Sequence, residues 1–122
     1  HPDPLGYAKS PSRFSDPRRR IAANRFGVVY LGESLTVCFL EAVLRDQRDG
    51  VVGGLPLDEG EIAKRLYAEI EVADHLRLVD LRGECAIRMG VPTDVHRAFK
   101  QTLARAWSVA FHEHPDGPDG II

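Results

Sequence analysis

The stretch Tyr30-Leu-Gly-Glu-Ser-Leu-Thr-Val-Cys-Phe-Leu-Glu41 constrains this chain more than any other. It predicts a strand that stops at Gly32, a serine N-cap at Ser34, and an almost wholly apolar helix running to about Arg45. Basic Arg45 suits the negative C-terminal end of such a helix. One carboxylate, Glu41, falls inside the apolar run. A carboxylate in a buried helix must be paired, neutralised or aimed into a cleft, because taking a bare charge out of water is costly. Two readings of Glu41 stay open from the residues alone. One is a glutamate at the helix rim that reaches solvent or an arginine. The other is a carboxylate placed to steady developing positive charge or to grip a sugar hydroxyl.

The 122 residues are expected to form one domain, and a 43% hydrophobic content supplies one core. A net charge of −2 gives no global attraction to nucleic acid, so an anionic ligand has to be held by a local cluster. No apolar run reaches membrane-spanning length, and no signal peptide is read. Cys38 and Cys85 both lie in apolar surroundings without a CxxC spacing, which favours two buried thiols in a reducing cytoplasm over a disulfide or zinc framework. Both ends read as cut: the chain starts at His1, and Asp119-Gly-Ile-Ile122 reads as a turn entering a strand.

Along the chain, residues 1–20 read as loop, anchored by Phe14. Phe26 to Leu31 reads as a strand, buried on both faces around Val28-Val29. Residues 46–58 form a glycine-containing loop or lid. A short helix follows, then a strand near 66–73 and another over Arg77–Leu81. Glu84 to Met89 is a short helix ended by Gly90. Thr93 or Asp94 caps one long helix with Val95, Phe99, Leu103, Ala106, Trp107 and Ala110 on a single stripe. This order suits an α+β domain rather than a regular βαβ alternation.

Arg13, beside Phe14, is either a solvated loop arginine or a bidentate clamp for a phosphate or pyrophosphate. Arg18, Arg19 and Arg20 read as a solvated basic run able to steer an anion inward. Tyr30 is an edge aromatic or a stacking platform beside the carboxylate. His112 and His114 are two ligands at i, i+2 without a clear third, so a helix C-terminal pair accounts for them better than a metal site. No Walker A, GxGxxG or GxSxG pattern occurs, and no basic patch with interleaved aromatics points to nucleic acid.

Taken together, Arg13-Phe14, Val29-Tyr30, Ser34 and Glu41 eleven residues after the tyrosine resemble the RES-domain family, the toxins of one class of bacterial toxin–antitoxin module. Leu76-Arg-Leu-Val-Asp-Leu81, Met89-Gly-Val91, Trp107-Ser108 and Asp119-Gly-Ile121 are similar to the family's pattern as well. The resemblance implies a single domain over 1–122, truncated at both termini, with an ADP-ribosyltransferase-like fold: a small mixed sheet flanked by helices. It implies NAD+ as the substrate, no metal, and cleavage of the nicotinamide–ribose bond with protein, phosphate or water as acceptor. Carried onto this chain, Glu41 would hold the ribose hydroxyl and offset positive charge, Arg13 would grip phosphate, and Tyr30 would pack against nicotinamide or ribose. The family's serine falls after the Asp-Gly-Ile segment, where this chain stops; Ser108 belongs to the long helix. The family's N-terminal arginine falls before His1. A cognate DNA-binding antitoxin that covers the NAD+ site is the implied partner. Two other classes stand beside this reading: a non-catalytic interaction domain, and a metal-dependent hydrolase built on His112 and His114.

Overall fold

The computed structural model describes residues 3, 5, 11–18, 25–44, 53–54 and 56–122. The chain divides into two compact units, one formed by His1–Val29 with Val72–Ile122, the other by Tyr30–Glu71.

The first unit is organised on a parallel pair of strands. β1 (Leu78–Val79) lies beside β2 (Gly120–Ile121), with Leu78 opposite Gly120 and Val79 opposite Ile121. Three backbone bonds prolong the ladder: Asp119 N–H to the Arg77 carbonyl (2.8 Å), Ile122 N–H to Val79 (2.9 Å) and Leu81 N–H to Ile122 (2.8 Å). Parallel strands need a long crossover to bring the second beside the first. Here the crossover carries α3 (Cys85–Arg88), α4 (Asp94–Arg97) and α5 (Thr102–His112). Apolar residues from the crossover close the core: Leu81, Ala86, Val91, Val95 and Ala104 are buried, and Phe14, Val79, Trp107, Phe111 and Ile121 pack against them.

The end of α3 shows why Gly90 is there. Val91 N–H returns to the Ala86 carbonyl (2.8 Å) and Gly90 N–H to Ile87 (2.9 Å), the paired bonds of a Schellman stop. The stop requires a left-handed residue, and Gly90 has φ 71°. Ala86 and Val91, bracketing the turn, both belong to the core.

The expected single long helix is two helices. The chain leaves α4 at Ala98, whose ψ of 143° is extended, and re-enters at Thr102. No Gly or Pro marks the break. Its compensation is tertiary: the Ala98 carbonyl accepts a 2.8 Å hydrogen bond from Arg13 Nη1. With the helix broken, Val95 and Ala104 are both buried and Phe99, expected on the core stripe, stands 94% exposed. Thr93 precedes α4 with helical dihedrals and makes no side-chain cap bond.

The second unit carries α1 (Leu35–Phe39), a π-helical turn (Leu40–Leu44) and α2 (Glu59–Ala63). Ser34 caps α1 as the sequence predicts: its backbone is extended and its Oγ accepts the Val37 N–H at 3.2 Å. Asp58 does the same for α2 through the Gly60 N–H (2.7 Å). Gly32 is fixed by close approach, since a Cβ there would lie 2.6 Å from Cys38 Sγ.

Several expectations are corrected. Residues 25–32 form no strand, and Val29 is exposed. Residues 66–73 form none either, with Leu66 97% exposed. β-branched and aromatic residues favour a strand through the neighbours they pack against; among the described residues neither segment has a pairing partner. Among the described residues the sheet is accordingly two parallel strands, not a small mixed sheet, although the helix and strand content is α+β. The apolar helix buries none of its residues, so Leu35, Val37 and Leu40 are exposed, as is Cys38. Cys85 is half-buried, and both thiols are free. Arg45 and most of the expected 46–58 lid lie outside the described residues.

Candidate functional site

Arg13 sits in a turn that the sequence closes on itself. Ser12 N–H donates to Ser15 Oγ and Ser15 Oγ–H to the Ser12 carbonyl, both at 3.0 Å. Short hydroxyl side chains bond back to nearby backbone, which is why Ser suits such turns. Phe14 then points into the core. The helix α5 holds the turn from the other side. Arg105 Nε donates to the Ser12 carbonyl at 2.9 Å, and the buried Ser108 donates its Oγ–H to the Phe14 carbonyl at 2.6 Å. Arg105 is itself steadied by Gln101 Oε1 at 2.9 Å, one helical turn before it. Arg13 is half-buried and uses Nη1 on Ala98.

Directly after this turn, Asp16 is 2% exposed, a buried carboxylate that needs a partner. Arg18 supplies it. Its Nη2 lies 2.7 Å from Oδ2, its Nε 2.9 Å from Oδ1, and its backbone N–H also reaches Oδ1 at 2.9 Å. Phe26 N–H adds a longer bond to Oδ2 (3.3 Å). The Arg18 guanidinium foremost, and the backbone donors with it, hold the Asp16 carboxyl at about 2 against burial, which acts the other way. The same pairing raises Arg18, which also reaches Glu113 just past the end of α5. Arg18 lies 5.9 Å from the centre of the Phe26 ring, and Phe26 stacks on His112 with ring centres 4.3 Å apart. Arg18 is thus not a solvated member of a basic run; it is the counter-ion of a buried acid. Arg19 and Arg20 lie outside the described residues.

A cleft of about 510 Å³ opens between these elements, lined by Ser15, Asp16, Arg25, Thr102 and Arg105 with Pro11 and Pro17. Arg25 Nη2 donates to the Asp16 carbonyl at 3.2 Å.

Tyr30 and Glu41 belong to the second unit. Tyr30 opens it and is more than half exposed; Glu41 is the second residue of the π-helical turn and is exposed. The burial cost that singled out Glu41 in the sequence therefore does not arise, because the apolar run around it is not covered. The structure thus brings Tyr30 and Glu41 into one unit and Arg13 into the other.

His112 is the last residue of α5, and His114 Nδ1 accepts the Asp116 N–H at 3.2 Å. Among the described residues, no three His, Cys, Asp or Glu side chains gather as metal ligands. No helix among them is long and apolar enough to cross a membrane. Asp16, Arg105 and the bonding role of Ser108 escaped the sequence reading. Their signals were faint: an Asp-Pro-Arg triplet, and a serine next to Trp107 of the expected apolar stripe.

A model of the RES domain matches residues 1–122. The chain belongs to the RES-domain family. A curated relative of this RES-domain chain is "Probable toxin y4kH" of Sinorhizobium fredii (strain NBRC 101917 / NGR234), 37% identical over 79 residues. That match covers 65% of this chain and 62% of the relative, less than two thirds of its length. No solved structure matches the RES-domain chain.

Proposed function

We propose that this RES-domain chain is a toxin that cleaves the nicotinamide–ribose bond of NAD+ and transfers ADP-ribose to a protein target. The observation that carries the toxin role is the family match over the whole chain, joined by a relative named as a probable toxin. The chemistry of the candidate residues fits it. Breaking this bond sends the electron pair to nicotinamide, which leaves neutral, and develops positive charge at the ribose carbon. An acceptor nucleophile then forms the new bond and gives up its proton. Such a reaction asks for a positioned anion near the ribose and a cation at the pyrophosphate more than for a strong base. In this reading Glu41 is the anion, Arg13 the pyrophosphate clamp, and Tyr30 a stacking surface for nicotinamide or ribose. The π-helical turn around Glu41 supports that role, since such turns are rare and recur at functional sites. The architecture we assign is ADP-ribosyltransferase-like. A cognate DNA-binding antitoxin in the same cytoplasm would cover the NAD+ site.

Release of nicotinamide from NAD+, followed with phosphate present and absent and with a cell lysate as acceptor, tests the reading. Labelled protein in the lysate supports transfer. Release that requires phosphate replaces transfer with phosphorolysis, and release in buffer alone replaces it with hydrolysis. No release under any of these conditions makes the chain a non-catalytic interaction domain. Glu41→Gln keeps the shape and removes the charge of an exposed side chain, so it is expected to abolish turnover with unfolding unchanged; turnover at the parent rate would remove Glu41 from the site.

A further inference from the structure

The bonds around Arg13 form a cradle that touches both sides of the residue. The carbonyl before it, on Ser12, is held by Arg105; the carbonyl after it, on Phe14, is held by buried Ser108. Arg105 and Ser108 lie three residues apart on α5, hence on one face of one rigid element. The side chain is fixed as well. Arg13 Nη1 is tied to the Ala98 carbonyl, and that carbonyl is available only because the helix is broken there. A guanidinium carries five donors in a planar fork. Anchoring one of them on Nη1 sets the plane, while the Nε and Nη2 edge has no acceptor among the described residues. This edge is the one that meets two oxygens of a phosphate side by side.

We propose that Arg105 and Ser108 are positioning residues that hold the Arg13 turn so that the Nε–Nη2 edge of Arg13 faces the pyrophosphate of NAD+, an inference that rests on the reading of Arg13 as the clamp. A group held in place before binding loses less freedom when the ligand arrives, so loosening the cradle weakens binding without removing any group that touches NAD+.

The test is a double-mutant cycle on the whole protein, with NAD+ as the probe in a calorimetric titration. Arg13→Ala is expected to weaken NAD+ by about 10- to 100-fold, the range of charge-assisted hydrogen bonds. Ser108→Ala and Arg105→Ala are each expected to weaken it by about 3- to 10-fold in the parent. In the Arg13→Ala background both are expected to change affinity less than about twofold, because a residue acting through Arg13 has nothing left to act on. Ser108→Thr, which keeps the hydroxyl, is expected to restore affinity; Arg105→Ala, at a half-buried helix position, carries the test if the buried serine tolerates no change. A purely structural role would lower the unfolding temperature and leave affinity alone. Helix variants that leave affinity unchanged, or that weaken it equally with and without Arg13, overturn the positioning role while the clamp stands. If Arg13→Ala leaves affinity unchanged, or the parent does not bind NAD+, the clamp falls and the positioning role falls with it.

Discussion

The buried Asp16–Arg18 pair makes a quantitative prediction that is independent of any activity. Asp16→Asn keeps the side-chain volume and one carbonyl acceptor, and removes the charge that Arg18 and two backbone N–H groups address. The native environment lowers the Asp16 carboxyl from 3.8 to about 2. At full weight a shift of that size is worth about 2 kcal/mol of folding stability. The Arg18 side chain is 36% exposed, so water screens the pair and the expected loss is about 1–2 kcal/mol. In a chain of this length that lowers the unfolding temperature by about 4–8 °C at pH 7. The sign with pH follows from the direction of the shift. A carboxyl depressed on folding stabilises above its unfolded value, near 3.8, and loses that contribution as pH falls through about 2. Roughly half of it is gone by pH 3. Asn does not titrate, so the gap between parent and variant narrows as pH falls from 5 to about 3. Urea unfolding of both proteins at several pH values across that range measures the gap. A variant as stable as the parent at pH 7, or a gap that stays constant down to pH 3, would refute the assignment of Asp16 as a stabilising buried anion.

Three further outcomes are expected from unfolding measurements. Gly90→Ala puts a Cβ into open space at φ 71°, so its cost is conformational only, about 1 kcal/mol; no loss would mean the Schellman stop is dispensable. Val95→Ala removes two methyl groups from a fully buried site and is expected to cost about 2–3 kcal/mol, with a cost below about 1 kcal/mol arguing against its place in the core. Phe99→Ala, at the position the sequence stripe placed beside Val95, is expected to stay within about 0.5 kcal/mol of the parent, because the ring is almost wholly exposed; a large loss would restore the continuous helix.

What the sequence determined by itself was local. Ser34 before an apolar run, Gly90 after a short one, and Phe14 alone in a polar loop each specify a cap, a stop and an anchor through bonds or contacts that need little distant structure, and each is found. The strand at Leu78–Val79 was legible in its β-branched and apolar content, and the Asp-Gly-Ile turn into β2 likewise. The family was legible too, because short motifs spread along the chain resemble its pattern, and a model of the RES domain matches residues 1–122. Tertiary structure decided the rest. The helix breaks at Ala98, where a guanidinium 85 residues earlier in the chain takes the freed carbonyl, and no local residue announces it. Phe26–Leu31 stays out of a strand because propensity does not make a ladder where no neighbouring strand among the described residues pairs with it. Ser108 reads as one more small residue on a helix until its hydroxyl meets Phe14, 94 residues away, and Asp16 reads as a loop acid until burial forces Arg18 onto it. Periodicity and capping act over a few residues; the bonds that shape the Arg13 turn close over most of the chain, and only folding brings their two ends together.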